Sequence, residues 1–325
     1  MSDVMIRAFA AGDEASLVTA WNHSLPADPT TAQWLRDRVL LDPNFDPEGL
    51  RVAVVDGEVA GCAYAVRRLV PLGTSLEPET GWIPFFFVAP GHRGRGLGRR
   101  LVEEALAFLT AHGRTRVDFA GYTPNYVLPG VDPEAYPSAL RLLTGLGFAP
   151  VATAVAMDRR LVGYVTPPEV RELLRRRVAE GYEFRAPSDG ELPELVRFAT
   201  EQFSPDWGQL IRKFPDNRRL VIARRDRITG FAAYGAYPGT PDRFGPLGVD
   251  ARERGTGLGK ILLHQAMTAM RAEGLHAAWF LWTGEDSPAA RLYGGAGYAV
   301  TRRFHVMRWT REQAREQARE QARER

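Results

Sequence analysis

The chain has 325 residues, a formal net charge of +3 and 45% hydrophobic residues, enough apolar material for two domains of ordinary size. Its 42 Lys and Arg nearly balance its 39 Asp and Glu, and no basic stripe with interleaved aromatics occurs, so no nucleic-acid-binding role is expected. The single cysteine, Cys62, excludes an intrachain disulfide; no leader-like segment opens the chain and no apolar run reaches membrane-spanning length, so no membrane role and a reducing, cytoplasmic setting are expected.

Residues 4–8 read as a short strand, 13–21 and 30–40 as helices, and 42–47 as a loop. Arg51–Val55 and Val59–Val66 flank Asp56-Gly57, a tight-hairpin signal. Cys62, inside the second of these strands, reads as a small buried apolar residue rather than a nucleophile. A loop rich in Pro, Gly and Glu follows at 69–81, and then an apolar strand, Gly81–Val88, runs into Arg93-Gly94-Arg95-Gly96-Leu97-Gly98. The next helix carries Leu97, Leu101, Ala105, Phe108 and Leu109 on one face. Arg116–Ala120 reads as a strand, Gly121–Asp132 as a turn-rich insert, Pro133–Leu146 as a helix and Val151–Arg160 as a strand.

Residues 161–181 connect this half to the next. Thr166 and Glu169 have the spacing of a capping box, with Pro167 at the first helical position. Val170, Leu173, Leu174 and Val178 form an apolar stripe and Arg175–Arg177 a solvated face, which predicts a packed helix rather than a loose tether. The pattern then restarts. Glu183–Ala186 echoes the first strand, Asp189–Gln202 is a helix, and Arg219–Arg224 and Ile228–Tyr237 pair as strands. Phe244–Val249 leads into Arg254-Gly255-Thr256-Gly257-Leu258-Gly259, at one constant offset from the first glycine loop. Another amphipathic helix follows, with Leu258, Ile261, Leu262, Ala266, Ala269 and Met270 on one face. Ala277–Trp282 is a strand, Pro288–Tyr293 a short helix and Phe304–Trp309 a last strand. The tail, 311–325, consists of good helix formers with no apolar face.

Strand, glycine loop and helix therefore occur in that order twice. Glycines permit positive φ and close backbone approach. Amides that open a helix lack intrahelical partners and carry the positive end of its dipole, so each loop is a pocket for phosphate or pyrophosphate. A Walker loop would have Lys-Ser/Thr after its last glycine, whereas Arg99 and Lys260-Ile261 follow here. A Rossmann loop would follow the first strand of its domain, and here several elements precede it.

Arg-x-x-Gly-x-Gly after an apolar strand resembles the acyl-CoA loop of the GNAT N-acetyltransferase superfamily. The likeness extends to Leu292-Tyr293-Gly294-Gly295-Ala296-Gly297-Tyr298 and Leu142-Leu143-Thr144-Gly145-Leu146-Gly147-Phe148, which are similar to the closing segment of that superfamily. The resemblance implies an α/β (α+β) architecture of two tandem GNAT domains, each a mixed, largely antiparallel twisted sheet flanked by helices. The expected boundaries are 1–160, a helical linker 161–181, a second domain 182–310 and the tail 311–325. It also implies acetyl-CoA as cosubstrate and no metal. The implied cofactor contacts are Val88, Arg93, Gly94, Arg95, Gly96, Leu97, Gly98 and Arg99 in the first half. In the second they are Val249, Arg254, Gly255, Thr256, Gly257, Leu258, Gly259 and Lys260.

Acyl transfer needs the amine as a free base, a proton for the departing thiolate, and both substrates held side by side. The resemblance assigns that proton to a tyrosine at the Leu-Tyr position, which is Tyr293 in the second half and Leu143 in the first. The C-terminal domain is therefore expected to be catalytic and the N-terminal one degenerate, with Tyr122, Tyr126 and Tyr136 as alternative donors in the first half. Asp242, Glu285 and Asp286 are the carboxylates able to orient a water or an ammonium, and Asp286 is taken as the second catalytic candidate. His264 and His276 read as helix and turn residues. The expected function is acetyl-CoA-dependent N-acetylation of a small-molecule amine by a monomer or homodimer. The tandem arrangement resembles that of mycothiol synthases and of tandem bacterial acetyltransferases acting on amino sugars. The alternative is a CoA-binding regulatory or interaction protein without turnover; for the enzyme, Tyr293→Phe should lower kcat and spare acetyl-CoA binding.

Overall fold

The computed structural model describes residues 4–70, 75–123, 125, 127–214, 216–237, 239–313 and 316. Tyr126 and most of the 311–325 tail lie outside the described residues. The chain forms two compact units. The first takes in the residues up to Ala154 and returns at Arg303, and the second is built on Val155–Arg302.

The first unit holds β1 (Val4–Ala8), β2 (Leu50–Val55), β3 (Glu58–Val66), β4 (Thr80–Val88) and β5 (Arg116–Phe119). β1 to β4 pair antiparallel in sequence order, and β4 pairs parallel with β5. The β2–β3 turn is the expected one: Asp56 and Gly57 both take positive φ, at 52° and 86°. The helices are α1 (Glu14–Ser24), α2 (Ala32–Leu35, running into a π turn over Arg36–Leu40), α3 (Leu97–Ala111) and α4 (Pro137–Thr144). Side-chain alternation along the strands separates two cores. Leu101, Ala105 and Leu109 of α3 bury Ala53, Ala63 and Ile83 on one face. Leu17 and Trp21 of α1 with Leu35 bury Tyr64, Phe85 and Phe87 on the other.

One strand of this unit comes from the far end of the chain. β12 (Ala299–Thr310) is longer than the expected Phe304–Trp309, and it pairs antiparallel with β5, with Met307 opposite Phe119 and Trp309 opposite Val117. Met307 and Trp309 alternate into the α3-side core, which is why the strand settles there. Arg308, on the opposite pleat, makes a forked pair with Asp118 at 2.6 and 3.0 Å. β6 (Ala149–Arg160) likewise continues past Ala154 into the second unit.

The second unit contains α5 (Pro168–Ala179), β7 (Glu183–Arg185), α6 (Leu192–Gln202), α7 (Pro205–Arg212), β8 (Leu220–Arg224) and β9 (Ile228–Tyr234). After them come β10 (Phe244–Val249), α8 (Leu258–Ala272), β11 (Ala277–Gly284) and α9 (Pro288–Gly295). Its four-stranded sheet has the order β10-β9-β8-β7, all antiparallel. α8 buries Leu262, Ala266 and Met270 on one face, and α6 with α7 buries Leu195, Phe198 and Ile211 on the other. α7 is not among the elements expected from the sequence. Ser204 caps it by accepting from the Trp207 amide, Pro205 starts it, and Trp207 stacks on Phe203 at 4.7 Å. The expected capping box on α5 is also absent: the Thr166 hydroxyl bonds that of Thr268 at 3.0 Å, Pro167 is the cap and Pro168 the first helical residue.

Candidate functional site

The first glycine loop is built on two left-handed residues, Gly94 at φ +76° and Gly96 at φ +77°. Gly96 caps α3, so the amides behind it have no helical partner and sit at the positive end of the dipole. A cavity of about 740 Å³ lies against this loop. Strand splay opens it. β4 and β5 pair only from Thr80↔Arg116 to Ile83↔Phe119. Pro84 then offers no N–H to a neighbouring strand, and Ala120 and Gly121, at φ +60° and +63°, turn the chain away from β4. Phe85–Val88 keep their β3 partners, and their other edge lines the cavity.

Val88, Arg93, Gly94, Gly96, Leu97, Gly98 and Arg99, all expected at a cofactor site, line this one space. Arg95 is exposed. Arg93 also has a structural task. Its Nε donates to the Val88 carbonyl and its Nη2 to that of Ser24, each at 2.9 Å, tying the loop to β4 and to the end of α1. Arg99 reaches the Gly145 carbonyl at 3.3 Å.

The second loop repeats the backbone of the first. Gly255 and Gly257 take φ +80° and +87°, and Gly257 caps α8. Here α5 lies over the loop. A Cβ on Gly257 would meet Leu173 Cδ2 at 2.7 Å, whereas one on Gly96 would meet nothing within 4 Å. Arg177 Nε donates to the Thr256 carbonyl at 3.0 Å, and the Tyr182 hydroxyl donates to Glu253 at 2.8 Å. The solvated face expected for Arg175–Arg177 is therefore corrected at Arg177. The signal was present: Arg177 stands four residues after Leu173, hence on the same side of the helix. Lys260 is half-buried and Arg254 exposed.

Tyr293 is only 7% exposed. Its ring lies 4.5 Å from Phe280 on β11 and 6.0 Å from Phe244 on β10, with Tyr298 at 5.7 Å. Burial in this cluster pushes the phenol well above its ordinary value. Asp286 is exposed in the turn between β11 and α9, and its backbone carbonyl accepts from Arg291 at 2.8 Å. In the first unit, Leu143 is fully buried. Tyr122 is held between Asp42, at 3.1 Å, and Asn44, at 2.9 Å. Tyr136 lines the cavity, and its hydroxyl donates to Asp28 Oδ2 at 2.5 Å. Among the described residues no cluster of three or more His, Cys, Asp and Glu is placed to hold a metal ion. No described helix is long and apolar enough to cross a membrane.

Residues 18–127 and 190–298 each match the model of the acetyltransferase (GNAT) family. A mycothiol acetyltransferase of Thermobispora bispora is 27% identical over 321 residues, covering 92% of this chain and 94% of that protein. Among solved structures, a fungal multi-domain β-N-acetylglucosaminidase described as having a GCN5-related glucosamine N-acetyltransferase region aligns with TM-score 0.79 at 17% identity. That alignment covers 95% of this chain and 38% of the fungal one. A tandem GNAT protein from the clavulanic acid biosynthesis pathway aligns with TM-score 0.64 at 17% identity, over 95% and 98% of the two chains. The last two likenesses speak for the fold.

Proposed function

The chain belongs to the acetyltransferase (GNAT) family, and from that premise we propose that it is an acetyl-CoA-dependent N-acetyltransferase of a small-molecule primary amine whose acetyl-CoA is held in the first unit. The observation that supports this placement is the cavity beside Gly94–Arg99. It joins a helix-opening loop suited to the pyrophosphate to the edge of Phe85–Val88 that does not pair with β5. Backbone groups on such an edge hold a pantetheine arm and polarise the thioester carbonyl. The apolar wall of Trp21, Phe85 and Phe87 excludes water from the reacting centre. The relative named a mycothiol acetyltransferase supports a small polar acceptor.

A second reading keeps the chemistry in the second unit. It is favoured by Tyr293, whose ring spans from β10 to β11. Its weakness is a phenol raised by burial, a poorer donor to a thiolate, beside a loop already covered by α5. Calorimetric titration with acetyl-CoA separates the two. One equivalent per chain, lost in a first-loop variant, is expected. One equivalent lost instead in a second-loop variant would support the second reading, and no binding at millimolar ligand would sink both.

A further inference from the structure

The cavity of the first unit carries charges of both signs. Arg93, Arg99 and Arg141 line it, with His92 beside the loop, whereas Asp28 is the one carboxylate among its described lining residues. Asp28 comes from the connection between α1 and α2, and Tyr136 from the residue before α4. The two stand 108 positions apart in sequence and meet at 2.5 Å. Neither is placed by chance of a loose loop. The Trp21 indole donates to the Asp28 carbonyl at 2.8 Å, the Asp28 amide donates to the Leu25 carbonyl at 3.0 Å, and Asn22 brackets Thr30. On the other side, Asp132 Oδ1 accepts from the amides of Glu134 and Ala135, and the Tyr136 amide donates to the Asp132 carbonyl at 2.9 Å. Val131 in turn exchanges backbone bonds with His305 on β12.

We propose that Asp28 is the acceptor-binding carboxylate and proton acceptor of this cavity, that it selects a cationic primary amine, and that Tyr136 is its positioning residue. This rests on the reading that acetyl-CoA occupies the same cavity. Phosphates suit the loop and its arginines, and a cationic amine suits Asp28, the one carboxylate among the described lining residues. The step is a single proton transfer. One N–H bond of the ammonium breaks, the proton joins the Asp28 carboxylate, and the nitrogen keeps the electron pair that attacks the thioester carbon. The half-buried carboxylate then releases the proton to solvent. Tyr136, donating to Oδ2, holds the carboxylate in one orientation.

The test is binding, not turnover, on the full chain saturated with CoA. Methylammonium, ethanolammonium and glucosamine are each compared with the isostere carrying a hydroxyl in place of the amine, by calorimetry or protein NMR. The wild type is expected to hold at least one ammonium roughly tenfold or more tighter than its neutral isostere. Asp28→Asn should bring the two to parity with CoA affinity and melting temperature unchanged. Tyr136→Phe should leave CoA affinity and melting temperature unchanged but cut the cation preference severalfold, because the carboxylate has lost the donor that orients it. His92, Arg93, Arg99 and Arg141 are common to all variants, so they cancel in that comparison. No preference for the cation across the set, or a preference that survives Asp28→Asn, overturns the proposal. A preference unmoved in Tyr136→Phe removes Tyr136 from it. Failure to bind CoA at all would strike the earlier reading instead.

Discussion

Replacing one loop glycine at a time by alanine tests which half holds acetyl-CoA. At Gly96 the added methyl meets nothing within 4 Å, so the cost to the fold is that of a non-glycine residue at φ +77°. That cost is about 1 kcal/mol, or about 2–4 °C of melting temperature for a unit of this size. Relief of the strain tilts the amides behind Gly96 off any bound oxyanion. Losing one charge-assisted hydrogen bond weakens acetyl-CoA binding by about tenfold to a hundredfold. At Gly257 the balance reverses. The same backbone cost is joined by the overlap with Leu173, which adds about 1–3 kcal/mol of overpacking, while acetyl-CoA affinity should stay at the wild-type value. Calorimetric titration and thermal melting of both variants give the four numbers. Equal affinity losses, or a loss confined to Gly257→Ala, would refute the argument that the first loop is the open one.

Two further outcomes follow from packing and charge. Ending the chain at Arg302 removes Met307 and Trp309 from the first core, each worth about 1.5–3 kcal/mol of burial, together with the Arg308–Asp118 fork. Scanning calorimetry of residues 1–302 should therefore show the first unit's transition lowered or lost and acetyl-CoA unbound; an unchanged trace would mean that β12 contributes nothing to that unit. His264 is buried in the second unit, with Nδ1 on the Tyr164 hydroxyl at 2.7 Å and Nε2 without a partner among the described residues. Burial first, then the cations Arg159 and Lys260, with Glu169 opposing them, lower its pKa to about 4. The unfolded imidazole, near 6.5, takes up its proton first as pH falls, so the folded state loses stability between about pH 6.5 and 4, by up to about 3 kcal/mol. Urea midpoints should show this acid loss in the wild type and not in His264→Gln, and equal loss in both would clear His264.

What the sequence could disclose here follows the range over which each feature is decided. The two glycine loops and the Asp56-Gly57 turn are legible because positive φ is a local demand that few residues other than glycine meet. The splay was half-legible: Pro84, inside an otherwise apolar strand, marks the point where the β4–β5 ladder must stop. Helical spacing gives α5 an apolar stripe, but not what that stripe meets. Only packing shows that Leu173 and Arg177 sit on the second loop. The same limit governs Tyr293. Its motif reads as a donor, yet the surrounding rings of Phe244, Phe280 and Tyr298 decide how readily it gives up a proton. β12 and the Asp28–Tyr136 pair are harder still, because each depends on partners far away in the chain. A duplicated motif therefore says that two sites could be built. What each becomes depends on what the rest of the chain lays across it, and in this protein Leu173 and Arg177 of α5 lie on the second loop.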